Sequence, residues 1–210
     1  MHRVINCEQG TAEWLAARRG VATASRASDA LAILRSGAPA KAALDYAQEL
    51  AFERVAQCVV DKPVTIAMQR GKELEPLARA AYEARTGELV EELGFVLHHS
   101  MLAGASPDGL VESAGLVEIK CPFSHAQLAK IWAGNDVSDY TDQVDWQLWV
   151  LQRQWCDVVI YDPRLEHSGM DLLIVRHYLT ETARKRLDER VPEFLELVDS
   201  IEANIRSRRR

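Results

Sequence analysis

The hydrophobic pattern changes period several times along the chain, and each change marks an element. From Lys41 to Val60, the residues Leu44, Ala47, Leu50, Ala51 and Val55 recur at helical steps, which predicts one long helix with an apolar face. Asp61-Lys62-Pro63 is expected to end it. After Met68–Glu75 comes a second stripe of Leu74, Leu77, Ala78, Ala81 and Tyr82, stopped by Thr86-Gly87. A helix is expected over Asp139–Gln152, with Val144, Leu148 and Leu151 as its core seam. Shorter helices are expected at Ala12–Arg19, capped by Thr11 with Glu13 in the first turn, and at Ser124–Trp132. Another starts at Thr23 or Ser25 and runs to about Arg35, where a loop over Arg35–Pro39 begins. A closing helix over Thr180–Ile205 is expected to be interrupted near Pro192.

Apolar and β-branched runs lie between these stripes. Val90–His98, Met101–Ala105, Trp155–Tyr161 and Leu172–Tyr178 read as strands. Leu110-Val111 and Leu116–Cys121 read as two short strands, with Glu112-Ser113-Ala114-Gly115 between them as a turn of hairpin length. Helices interleaved with short strands predict an α/β fold, a central mixed β-sheet flanked by helices. No repeat, linker or low-complexity segment appears, so residues 1–210 are read as a single domain.

The hairpin carries the chemistry. Alternation along its second strand sends Glu118 and Lys120 to one face and Val117 and Ile119 to the other. A hairpin folds Asp108 back beside Glu118. Two carboxylates and an adjacent ammonium group are how a Mg²⁺ site for phosphodiester cleavage is built. Each half of the pattern is common alone: Glu-x-Lys on a strand is usually a solvated face, and Asp-Gly is usually a turn. The joint pattern is much rarer, with Pro107-Asp108-Gly109, a hairpin-sized gap, then Val117-Glu118-Ile119-Lys120.

Composition narrows the setting. At 48% hydrophobic and 27% charged residues, the 210-residue chain is ordinary globular protein. No apolar run approaches the ~20 residues of a membrane span. Cys7, Cys58, Cys121 and Cys156 are scattered without a CxxC pair, which predicts a reduced, cytoplasmic protein without a zinc or disulfide framework. The net charge of −6 argues against a simple basic DNA-binding surface, so acidic residues must be segregated from any DNA path or serve as metal ligands.

Gly104-Ala105-Ser106-Pro107-Asp108-Gly109-Leu110, followed by Gly115–Phe123, resembles the active-site region of the lambda exonuclease and YqaJ-type viral recombinase family of PD-(D/E)xK nucleases. The resemblance runs from Glu8-Gln9-Gly10 to Val191-Pro192-Glu193-Phe194. It implies a PD-(D/E)xK restriction-endonuclease-like core. It also implies a Mg²⁺-dependent exonuclease that digests one strand of duplex DNA from the 5′ end, releases 5′-mononucleotides and leaves a 3′ tail. Asp108, Glu118 and the Ile119 carbonyl would hold two Mg²⁺ ions, with Mn²⁺ a possible substitute. Lys120 would orient the attacking water. Gly71-Lys72-x-x-Glu75 matches a family motif that makes Glu75 an active-site carboxylate. Tyr140-x-x-Gln143-Val144 matches another that places Gln143 beside the site. By position Arg18, Ser25 and Ser106 would hold a 5′-phosphate, with Arg19 a departure that leaves the choice of arginine open. Arg35 corresponds to an arginine that reaches into DNA, and Met68 to an apolar residue at the duplex fork. The family further implies a homotrimeric ring, a single-strand annealing protein as partner, and a phage or prophage gene acting in a bacterial host. Two alternatives stay open: an endonuclease with the same triad, and a non-catalytic DNA-binding module.

Overall fold

The computed structural model describes residues 2–60 and 64–208, so the expected helix stop at Asp61-Lys62-Pro63 and the last two arginines lie outside the described residues. In chain order the elements are β1 (Arg3–Ile5), α1 (Ala12–Arg18), β2 (Ala22–Thr23), α2 (Ala27–Ala30), α3 (Lys41–Ala56) and α4 (Ile66–Thr86). There follow β3 (Val90–Glu91), β4 (Phe95–Leu97), β5 (Ala103–Ala105), β6 (Gly109–Val111), β7 (Gly115–Lys120) and α5 (His125–Gly134). The chain closes with α6 (Thr141–Leu151), β8 (Trp155–Tyr161), β9 (Leu172–Tyr178) and α7 (Glu181–Ser207).

The strands form two sheets, ordered β1-β4-β5-β2 and β3-β6-β7-β8-β9. The expected strand over Val90–His98 is therefore divided between them. The break falls at Gly94, where a Cβ would stand 2.3 Å from the Ile5 carbonyl oxygen. In the larger sheet β6 and β7 are antiparallel, β7 and β8 parallel, and β8 and β9 antiparallel. The sheet is mixed and flanked by helices, as the pattern predicted. β7 is buried on both faces, as a strand in a parallel pair generally is. Leu116 belongs to the main core with α3, α6 and α7. Val117 and Ile119 belong to a smaller core with Ala78 and Tyr82 of α4.

Several boundaries differ from those expected. α4 begins at Ile66, because Thr65 Oγ1 accepts the Met68 N–H as an N-cap, and it runs on through Pro76. α3 stops at Ala56, where Gln57 turns left-handed, and the Val60 N–H returns to the Glu53 carboxylate. The second helix ends at Ala30 rather than Arg35. Beyond it the chain folds back on itself, with Ile33 bridging Pro39 and Ala40 N–H donating to the Ala32 carbonyl. α7 continues through Pro192. Its buried Leu187, Val191, Phe194, Leu195 and Val198 pack on both sides of the proline, and Phe194 stacks on Tyr46 of α3. That packing outweighs the ~3 kcal/mol a helical proline costs.

Gly115 is a strand residue rather than part of the turn. The Trp155 ring lies over it, 2.2 Å from where a Cβ would be. The turn is Glu112-Ser113-Ala114, with Glu112 at φ 47°.

Candidate active site

β6 and β7 pair Gly109 with Val117, and the Asp108 N–H donates to the Val117 carbonyl at 3.1 Å. This register brings Asp108 alongside the second strand, where its Oδ2 accepts the Ile119 N–H at 2.6 Å. Asp108 Oδ1 takes no hydrogen bond among the described residues. Glu118 is buried at 3% exposure and is gripped from α6. Its Oε1 accepts from Lys120 Nζ at 2.6 Å and from Gln143 Nε2, and its Oε2 accepts from Gln147 Nε2 at 2.6 Å. Lys120 Nζ also donates to Gln143 Oε1 at 3.0 Å and lies 5.2 Å from the Tyr140 ring centre. Glu75, on α4, accepts from Arg79 at 2.8 Å.

The electrostatics show three carboxylates crowding one ammonium group. Burial pushes the Asp108 carboxyl well above its ordinary range, and the charges of Glu118 and Glu75 push it further. Burial also raises Glu75, against Arg79 and with help from Glu118. Burial works against the charge on Lys120, but Glu118 and Asp108 outweigh it and hold the ammonium protonated. Such a site is short of positive charge, the electrostatic condition under which a hard divalent cation would be accommodated. Among the described residues no three His, Cys, Asp or Glu side chains converge as a ready cation cage. The groups expected to act as donors are the two carboxylates and the Ile119 carbonyl, and Glu75 is within electrostatic reach of Asp108.

A second cluster lies where α1 faces the turn after β2. Arg18 lies flat over the Trp14 ring, 3.8 Å from its centre, and an Nη reaches Ser25 Oγ at 3.3 Å and Thr23 Oγ1 at 3.5 Å. Trp14 Nε1 donates to Ser106 Oγ at 2.8 Å, two residues before Asp108. Arg18 has no carboxylate partner among the described residues, and burial lowers its pKa to about 10. Arg19 is turned away, its guanidinium donating to the Gln57 carbonyl at 3.0 Å. The three residues expected to hold a phosphate thus stand together around Trp14. Arg35 sits on the exposed loop between Ile33 and Pro39, and Met68 is 57% exposed in the first turn of α4; neither touches the carboxylates.

Two participants were given no role from sequence. Gln147 lies one turn beyond Gln143 on the same helix, and that spacing was the signal available. Trp14 and Arg18 likewise lie one turn apart on α1, so their stacking carried the same spacing signal.

The profile of the YqaJ-like viral recombinase domain matches residues 13–154. The chain is 39% identical to LHK-Exo, an alkaline exonuclease from Laribacter hongkongensis, with a TM-score of 0.82 over 94% of this chain and 97% of that one. The structure of LHK-Exo with dAMP aligns over the same shares with a TM-score of 0.83. A phage-related exonuclease from Haemophilus somnus 129PT, 14% identical, shares the fold with a TM-score of 0.68 over 88% of this chain and 96% of that one. A stretch of 68 residues, 32% of this chain, is 32% identical to a putative uncharacterised protein, ExoD of Escherichia coli K12, covering 76% of it. The mixed sheet with its Asp108–Glu118–Lys120 hairpin is a fold of the PD-(D/E)xK type. The chain belongs to the YqaJ-like viral recombinase domain family and stands within it beside alkaline exonuclease.

Proposed function

We propose that the protein is a Mg²⁺-dependent exonuclease that digests one strand of double-stranded DNA in the 5′-to-3′ direction. It releases 5′-mononucleotides and leaves 3′ single-stranded tails for recombination by strand annealing. The observation that carries this reading is the undercompensated hairpin, which brings Asp108, Glu118 and Lys120 together with one cation for two carboxylates, Glu118 buried and Asp108 partly so. An exonuclease relative at 39% identity over nearly the whole chain supports it, and one of its two structures holds dAMP.

Asp108, Glu118 and the Ile119 carbonyl are the groups that would hold the metal. The chemistry such an ion would supply there is polarisation of the scissile phosphate and acidification of the attacking water. Lys120 orients that water by hydrogen bonding and offsets the charge that develops on the phosphate. Gln143 holds both Lys120 and Glu118, so the ammonium group and the carboxylate keep a fixed relation. Glu75 adds negative charge on the Asp108 side. Polarity follows from the second cluster. Arg18, Ser25 and Ser106 offer a guanidinium and two hydroxyls to a terminal 5′-phosphate, and the short link from Ser106 to Asp108 sets that end near the hairpin. Arg35 and Met68 are assigned to the DNA path outside the site.

An acidic chain holds a polyanion poorly, since DNA binding normally needs several basic contacts. A homotrimeric ring encloses the duplex and turns basic residues inward, and this is the assembly proposed, with a single-strand annealing protein as partner. Among the described residues no helix is long and apolar enough to cross a membrane, and the setting proposed is the cytoplasm of a bacterial host carrying the phage or prophage gene.

The test is digestion of linear duplexes labelled separately at each end, with and without Mg²⁺, beside closed circles. Loss of the 5′ label as mononucleotide, only with metal and only on linear DNA, is expected. Release from the 3′ end would overturn the polarity, and cutting of circles would identify an endonuclease. Light scattering with a competitor trap added after digestion begins should show a trimer that keeps digesting.

A further inference from the structure

Glu118 is held from one side by two amides of the same helix. Gln143 and Gln147 stand one turn apart on α6, and each donates to a different oxygen of the carboxylate. Their other ends differ. Gln143 Oε1 accepts from Lys120 Nζ at 3.0 Å. Gln147 is 0% exposed, and its Oε1 is buried without any donor among the described residues.

The orphaned oxygen cannot be cured by turning the amide over. That would set Oε1 against the Glu118 oxygen now 2.6 Å from Nε2, replacing a charge-assisted hydrogen bond with the repulsion of two acceptors. The charge on Glu118 therefore dictates the orientation of Gln147. An unmade bond at a buried acceptor is a net cost to the fold. At a position this deep among Val144, Trp146 and Leu148, leucine or methionine would fill the space without that cost.

We propose that Gln147 is a positioning residue for the metal site: it pins Oε2 so that the Glu118 carboxylate presents a preset plane to the cation. With Oε1 held by Lys120 and Gln143, the third contact removes the remaining rotation about the terminal torsion, which is otherwise broad. A ligand held in place binds its ion more tightly than one that must be ordered on binding. This inference rests on the proposed function, because it takes Glu118 to be a metal ligand.

The experiment uses the full chain and Mn²⁺ as the probe, with uptake followed by the loss of the free-ion paramagnetic resonance signal in the absence of DNA. Two variants are compared with wild type. Gln147→Met keeps length and loses the amide, and Gln147→Asn keeps the amide and loses reach. Both should weaken Mn²⁺ binding about tenfold and raise by the same factor the Mg²⁺ concentration that half-saturates digestion. Both should leave binding of a 5′-phosphorylated duplex in EDTA within about twofold of wild type. Mn²⁺ affinity within about twofold of wild type in a folded variant, even with lowered thermal stability, would overturn the inference and reduce Gln147 to a packing residue. If wild type binds Mn²⁺ and digests DNA while the variants match it, only the inference falls. If wild type neither takes up Mn²⁺ nor digests DNA, the proposed function falls and takes the inference with it.

Discussion

β7 and β8 lie side by side, and both strands bury carboxylates, yet the two sets are compensated differently. Asp157, on β8, receives Arg176 through both of its oxygens at 2.8 Å and the Tyr82 hydroxyl at 2.8 Å. Asp162, just past the strand, receives Arg164 and Arg70. Burial works against its charge, but the Arg164 hydrogen bonds outweigh burial and hold its carboxyl below the usual range. At β7 the balance is reversed. Lys120 pairs with Glu118, while Asp108, just before β6, has only the Ile119 N–H and is pushed up by burial and by its acidic neighbours. A carboxylate fully neutralised within the chain ties the fold together. A cluster left short of positive charge could take an ion from outside, and on the function proposed here that difference distinguishes site from scaffold.

The sharpest way to break this comparison is to neutralise one carboxylate from each set. Glu118→Gln keeps the shape of the site and removes its charge, and cleavage should fall by more than ~10²-fold while DNA ends still bind. Lys120→Ala should lose as much through the missing ammonium. Asp157→Asn should do the opposite. Activity per folded molecule should stay within a few-fold, while stability to urea drops by about 1.5 kcal/mol as the half-exposed Arg176 loses its partner. Near wild-type cleavage by Glu118→Gln would erase the distinction.

A smaller effect concerns pH. A carboxyl whose folded pKa lies above its unfolded value adds stability at low pH, and that stability is lost as pH rises through the folded value. Asp108 is such a group. The metal-free protein should therefore lose melting temperature as pH climbs from about 4 through the raised Asp108 range, and Mg²⁺ should restore more at high pH than at low. Asp108→Asn should flatten both trends. Thermal melts with Mg²⁺ or EDTA across that range give the answer, and a Mg²⁺ shift independent of pH would count against the crowding seen at the hairpin.

The smallest effect separates two neighbouring arginines. Duplexes with a 5′-phosphate should be digested faster than those with a 5′-hydroxyl. Arg18→Ala should shrink that ratio about tenfold, as expected for losing a charged hydrogen bond. Arg19→Ala should leave it alone, since Arg19 is occupied with Gln57. Equal rates on both ends for wild type would remove Arg18 from the role.

The hairpin was legible because its geometry is local. A short turn sets the register, alternation sets the faces, and the placement of Asp108 beside β7 follows from pairing within thirteen residues. The long helices α3 and α6 were legible for the same reason, since a stripe repeats over neighbouring turns. α7 was misjudged at Pro192 because a local rule was overridden by packing against α3, over a hundred residues away.

By itself, then, the sequence determined the elements, the alternating faces of β7 and the pairing of Asp108 with the second strand. Only the tertiary structure decided which arginine is free, because a carbonyl at Gln57 captures Arg19 and leaves Arg18 over Trp14. It also decided that both Gln143 and Gln147 grip Glu118, and that Asp157 is neutralised while Asp108 is not. Periodicity and turn chemistry act between near neighbours and can be read along the chain. The net charge at a buried point is summed over groups that folding brings together from distant segments, so it exists only once the fold has formed.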